Sequence, residues 1–296
     1  MPFAILYYLV LVPLSVMPHP LVKAISSVFY YVLYYLASYR KTIVMQNLRK
    51  AFPEKSEQER VVICRRFYRH LCDTFFEGLM CLHMSERRLM RHIRCKNPEL
   101  INAYYNQGRS VIIAIGHYGS WEFFLTGLNA LIHHQVVIIY TPLTTPLMER
   151  KLTEARESFG TRMISKDAVK LFFEEVPSKA TATLFAIDQW PAKAKKPYWM
   201  TFLNQETAVA FGCEKYARDS GQAVLYARIS KEKRGHYSIE FSPVCDEPQK
   251  TKYGEITEKV TRLLEEDILR QPEYWLWSHR RWKQSRAEFE SADQKK

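Results

Sequence analysis

Apolar residues follow two rhythms along this chain. Short unbroken runs at Val111–Ile115, 136–140 and 181–187 read as strands buried on both faces, since a half-exposed strand would alternate. Between the runs the spacing changes to three and four. Ser56-x-x-Glu59 forms a capping box at the head of a long helix whose apolar positions are Val61, Cys64, Tyr68, Leu71, Phe75 and Leu79, with Arg65, Arg66 and Arg69 on the free side. Further helices are predicted over residues 85–93, Pro98–Asn106, 120–132, 146–159 (closed by Gly160), 168–176, 207–218 and 253–269. Residues 161–165 read as another strand, and 223–230 and 236–242 as a strand pair about the turn 231–235. This alternation predicts an α/β fold with a mixed, largely parallel central sheet flanked by helices. The polar tail after Ala287 is expected to be disordered.

Residues 3–39 break the pattern. Two apolar stretches, 3–17 and 21–37, flank Pro18-His19-Pro20; each is short of the roughly 20 residues that cross a bilayer. Seven tyrosines, among them Tyr30, Tyr31, Tyr34 and Tyr35, suit a water–lipid boundary, and Arg40, Lys41, Arg49 and Lys50 follow directly. The expected organisation is a membrane-associating helical segment, residues 1–40, embedded in the membrane or lying on it, and one domain, residues 41–296. No linker rich in Gly, Ser or Pro divides that domain.

Chemistry concentrates where the first buried strand ends. Gly116 and Gly119 permit a tight turn into the next helix, so His117 and Glu122 fall at the carboxyl edge of the sheet, the edge at which α/β folds bind ligands. His117 can take a proton from a hydroxyl, and Glu122, a helical turn on, can fold back to hold the second ring nitrogen. Backbone N–H groups about Gly119 and Ser120 can steady an oxyanion. The strand 181–187 delivers Asp188 and Gln189 to the same edge. There Asp188 either orients an acceptor or tunes the histidine, or caps a turn.

Charge and cysteine content narrow the partners. The net charge is +12, and residues 40–96 hold fourteen Lys/Arg against six Asp/Glu, a surface suited to anionic lipid headgroups or an acidic protein. Nucleic acid is not expected, as no zinc-finger spacing, RNA-binding signature or basic zipper accompanies the charge. The six cysteines show no C-x-x-C or His-paired spacing and read as reduced packing residues; no metal or other cofactor is implied.

Three blocks carry a family resemblance. Gly116-His117-Tyr118-Gly119-Ser120-Trp121-Glu122 resembles the catalytic motif of the lipid A late acyltransferases, the lauroyl/myristoyl transferases within the lysophospholipid acyltransferase superfamily. Ala186-Ile187-Asp188-Gln189 with Phe202-Leu203-Asn204-Gln205-Glu206-Thr207-Ala208 resembles the second block, and Tyr274 to Lys283 the C-terminal signature. The resemblance implies a His117–Glu122 dyad, transfer of a fatty acyl group from an acyl thioester, and a lipid A precursor whose hydroxyl is esterified. It implies acyl-acyl carrier protein as donor, although acyl-CoA also suits the basic surface, and the cytoplasmic face of a bacterial inner membrane. A lysophospholipid, another glycolipid or an amino-acid lipid is the alternative acceptor. Many family members carry Arg where this chain has Thr141, so the role of that Arg is either absent here or supplied by a neighbour, Arg150, Arg156 or Arg162. Arg156 and Arg162 fit the family's basic positions around Gly160, and Arg280, Lys193, Lys195 and Lys196 are further candidates for meeting phosphate.

Overall fold

The apolar runs do form the sheet. In a computed structural model describing residues 7–175, 178–191 and 197–293, the strands are β1 (Ile93–Cys95), β2 (Val111–Ile115), β3 (Gln135–Tyr140), β4 (Arg162–Ser165), β5 (Thr181–Ala186), β6 (Tyr198–Phe202), β7 (Gln205–Val209), β8 (Ala223–Lys233) and β9 (His236–Cys245). Among the described residues seven of them pair in the order β1-β9-β8-β2-β5-β3-β4, and β6-β7 is a separate antiparallel hairpin. Every contact in the large sheet is parallel except β8–β9, so the sheet is mixed and mostly parallel.

β2 lies between β8 and β5 and is buried along its whole length. Its side chains alternate between two cores. Ile112 and Ala114 face the layer holding Ile256, Val260 and Leu264, whereas Val111, Ile113 and Ile115 face the layer holding Phe123, Phe124 and Leu128. Register then fixes the site, because Ile115 pairs with Ala186 and the residues after each strand emerge together.

The long helix, Glu57–Cys81, begins at the expected capping box: Ser56 N–H donates to Glu59 Oε2 at 2.7 Å and Glu59 N–H to Ser56 Oγ at 3.3 Å. Of the expected apolar stripe Cys64, Tyr68 and Leu79 are buried and Phe75 is half exposed; the polar residues His70, Asp73 and Glu77 are buried as well, one to two turns apart on the side facing the sheet edge.

Three other expectations change. Residues 85–93 give only the short helix Glu86–Leu89 and then enter β1, which completes the sheet beyond β9. The expected helix start at Thr207 is strand β7, because Leu203 and Asn204 both adopt positive φ, 49° and 61°, and turn the chain back on β6; the helix is Gly212–Ser220. Past Ala287 the chain is helical, Arg286–Asp293, started by a reciprocal Ser285–Glu288 cap and seated through Phe289 on Trp199. All six cysteines are free and four are buried, as packing residues would be.

Near the N-terminus, Val12–Val16 and His19–Tyr31 are α-helical, with π-helical turns at Tyr7–Leu11 and Val32–Leu36. No single described helix is long and apolar enough to cross a membrane. His19–Leu36 and Lys41–Ala51 pass jointly by length and composition but bend by 86°. The His19–Tyr31 helix is clamped to the body: Asp73 accepts from Ser26 Oγ at 2.7 Å and from Arg234 at 2.6 Å, and Arg234 also reaches Ser27 Oγ and the Lys23 carbonyl, each at 3.0 Å. The outer face of this helix and of the following turn Val32–Leu36 is apolar and exposed, with Val28, Tyr31, Tyr35 and Leu36 all more than half accessible. Lys193, Lys195 and Lys196 lie outside the described residues.

Candidate active site

The turn after β2 is the first part of the site. Gly119 has φ +63°, which an L side chain adopts poorly, and a Cβ there would stand 2.7 Å from Ile229 Cγ2, so only glycine fits. Three bonds hold the turn: Tyr118 N–H donates to the Gly116 carbonyl at 2.8 Å, Gly119 N–H to the Tyr274 carbonyl at 3.0 Å, and His70 Nε2–H to the Gly119 carbonyl at 3.2 Å. Burial pushes His70 down to about 3, which keeps it neutral and able to act as that donor. The sequence signal for it was a His on the buried side of the long helix, four residues before Thr74 Oγ1, which lies 3.3 Å from the same nitrogen.

His117 projects from this turn with its side chain about one quarter exposed. Its Nδ1 lies 2.8 Å from Asp188 Oδ1, and its backbone N–H donates to Asp188 Oδ2 at 3.0 Å. Trp275 Nε1–H donates to the same Oδ2 at 2.9 Å. Burial alone would raise the Asp188 pKa, but the imidazole charge and these donors hold it down to about 2. Burial alone would lower that of His117; the Asp188 carboxylate outweighs it, with a smaller contribution from Glu122, and raises it above the ordinary value. Nδ1–H facing an ionised carboxylate leaves Nε2 as the basic nitrogen. The side-chain nitrogen of Gln189 lies 3.3 Å from Nε2, and Trp121 meets the imidazole edge to face at 5.5 Å.

Glu122 therefore does not hold the ring, as the sequence alone suggested. Its carboxylate is 2.7 Å from Arg156 Nη2 on the helix Pro146–Glu157 and accepts from Trp121 Nε1 at 3.2 Å, while Gly78 of the long helix leaves room for its stem. The structure thus gathers His117, Glu122, Arg156, Asp188 and Gln189. It does not bring Arg162 to them: that residue starts β4, three strands or about 14 Å from β2, and pairs with Glu175. Arg150 pairs with Glu154, and Arg156 is held beside Glu122. Arg280 is exposed and makes no hydrogen bond or ion pair among the described residues; the buried guanidinium of that block is Arg281, which donates to Thr207 Oγ1 at 2.8 Å. Of the expected oxyanion donors, Gly119 N–H is engaged by Tyr274. Ser120 keeps its N–H without an acceptor among the described residues, and its hydroxyl is fully buried.

A histidine whose Nδ1 faces a buried carboxylate and whose Nε2 stays basic, at the carboxyl edge of a mostly parallel sheet, is an arrangement with which an α/β enzyme can do general-base chemistry. Known sequences supply the family. The description "bacterial lipid A biosynthesis acyltransferase" matches residues 2–284, nearly the whole chain, and the chain belongs to that family: it is an acyltransferase. It is 25% identical over 245 residues to the lipid A biosynthesis palmitoleoyltransferase of Escherichia coli K12, covering 82% of this chain and 79% of the relative. Identity to the lauroyltransferase of the same organism is 24% over 247 residues, with the same coverage. A lipid A biosynthesis acyltransferase of Haemophilus influenzae is 20% identical over 272 residues, covering 90% of this chain and 86% of the relative.

Proposed function

We propose that this protein transfers a fatty acyl group from an acyl thioester to a hydroxyl of a lipid A-type acceptor, with His117 as general base. The observation that carries the reading is the His117–Asp188 pair on a ring about one quarter exposed, which leaves Nε2 as the basic nitrogen. Nε2 takes the hydroxyl proton as the oxygen attacks the thioester carbonyl. Asp188 stabilises the imidazolium, and collapse of the tetrahedral intermediate forms the ester and expels the thiolate, which recovers the proton. Gln189 yields its place beside Nε2 to the acceptor. Glu122 fixes Arg156 beside the reacting groups, where the guanidinium and the Ser120 N–H oppose the oxyanion charge.

Acyl-acyl carrier protein is the proposed donor, and the exposed cations Arg65, Arg66, Arg69, Arg87 and Arg91 suit an acidic carrier. The work is assigned to the cytoplasmic face of the bacterial inner membrane, with residues 1–40 as the membrane-associating segment and 41–296 as the acyltransferase domain. The exposed apolar face of the His19–Tyr31 helix supports a segment that lies on the bilayer.

The test is mass spectrometry of lipids from Gram-negative cells that lack their own late acyltransferases and express the wild type or His117→Ala. A lipid A species heavier by one acyl group is expected with the wild type and not with the variant. Acylation of a lysophospholipid, another glycolipid or an amino-acid lipid instead would reassign the acceptor, and an acylated product persisting in His117→Ala would remove the histidine as base.

A further inference from the structure

Of the backbone N–H groups from His117 to Ser120, those of the first three residues are engaged: His117 with Asp188, Tyr118 with the Gly116 carbonyl and Gly119 with the Tyr274 carbonyl. The Ser120 N–H is left without an acceptor among the described residues. It belongs to the same peptide unit as the Gly119 carbonyl, which accepts from His70 Nε2–H at 3.2 Å. A trans peptide is planar, so a grip on its oxygen fixes the opposite direction of its N–H. Gly119 makes that grip necessary, because a residue without a Cβ leaves the adjoining peptide free to rotate.

His70 makes this bond at a cost in stability. Its ring is 4% exposed, and its Nδ1 is buried with no partner among the described residues, a loss that an apolar side chain would avoid. The ring meets Tyr274 edge to face at 4.8 Å, and the Tyr274 carbonyl takes the Gly119 N–H. Both polar groups of Gly119 are thus gripped by residues in contact with each other. Burial keeps the His70 ring neutral, so the bond persists across the pH range in which His117 titrates.

We propose that His70 is a positioning residue for acyl transfer: through the Gly119 carbonyl it aims the Ser120 N–H at the thioester carbonyl oxygen as that oxygen gains charge. The inference rests on the transfer reaction proposed above. An N–H so aimed stabilises the transition state more than the bound substrate, so its loss lowers kcat and leaves KM nearly unchanged.

The test uses the full-length protein, lauroyl-acyl carrier protein and lipid A precursor from cells without late acyltransferases. His70→Leu fills the space without a donor; kcat is expected to fall about tenfold or more, with KM within about twofold and the pH midpoint of kcat/KM unmoved. His70→Gln carries an N–H donor and is expected to recover most of that loss. Hydrogen exchange over residues 116–120 is expected to quicken in His70→Leu and not in His70→Gln. Wild-type kcat or unchanged exchange in His70→Leu, or an equal fall of kcat in both variants, would overturn the inference while the transfer reaction stands. A wild type that acylates no lipid, with the exchange difference intact, would refute the transfer reaction and the role of the Ser120 N–H in it, rather than the hold on the turn.

Discussion

At the scale of single residues, the site turns on a competition for one imidazole. Glu122 is near His117 in sequence, but Arg156 and Trp121 occupy its oxygens, whereas Asp188 arrives across the β2–β5 register and meets Nδ1 directly. Two carboxylates at one sheet edge were legible in the sequence; their assignment depended on an arginine from a third element. The Asp188 charge raises the His117 pKa above its ordinary 6.5, and the base works only when deprotonated. The kcat/KM of the wild type should therefore climb with pH to a midpoint above that value. In Asp188→Asn only the smaller Glu122 contribution opposes burial, so the midpoint should fall below the wild-type one, and kcat should drop by about a hundredfold or more. A pH–rate profile of both proteins checks this, and coincident midpoints would remove Asp188 as the partner of the ring.

Among the elements, the long helix holds the least expected chemistry. Its capping box, its overall span and the burial of Cys64, Tyr68 and Leu79 could be read from the sequence, but the polar residues buried beside that stripe could not. Glu77 is fully buried, accepts from Tyr237 Oη at 3.0 Å on both oxygens, and is pushed up to about 7 by that burial. A carboxyl whose folded pKa exceeds its unfolded value favours the folded state less as pH rises, so stability should decline between about pH 4.5 and 7. Glu77→Gln keeps a polar partner for Tyr237 and cannot ionise. Thermal unfolding should show a gain on the order of 3 kcal/mol over wild type at pH 8 that vanishes near pH 4; an equal difference at both pH values would contradict the assignment. Elsewhere, continuous apolar runs made β2, β3 and β5 plain because both faces are covered. β7 was hidden by the Leu203–Asn204 turn, and the last helix by a polarity that outweighed its Ser285–Glu288 cap.

For the whole molecule, the sheet order could not be read from periodicity, since the place of β1 beyond β9 depends on long-range pairing. Nor does periodicity alone distinguish an apolar face that packs from one that faces lipid. Replacing Val28 and Leu36 together by Glu should reduce sedimentation with anionic vesicles about tenfold while leaving the melting temperature unchanged, as both side chains are largely exposed. Undiminished binding would place the membrane contact on another surface. The Arg234–Asp73 clamp, finally, does more than attach a helix. It joins the apolar face to the end of the strand beside β2, so in the proposed membrane-lying orientation the reaction centre would ride at one fixed depth and tilt over the bilayer. Encounter with the proposed lipid acceptor would then become a two-dimensional search, governed by how many molecules lie in each patch of leaflet rather than by how many are in the tube.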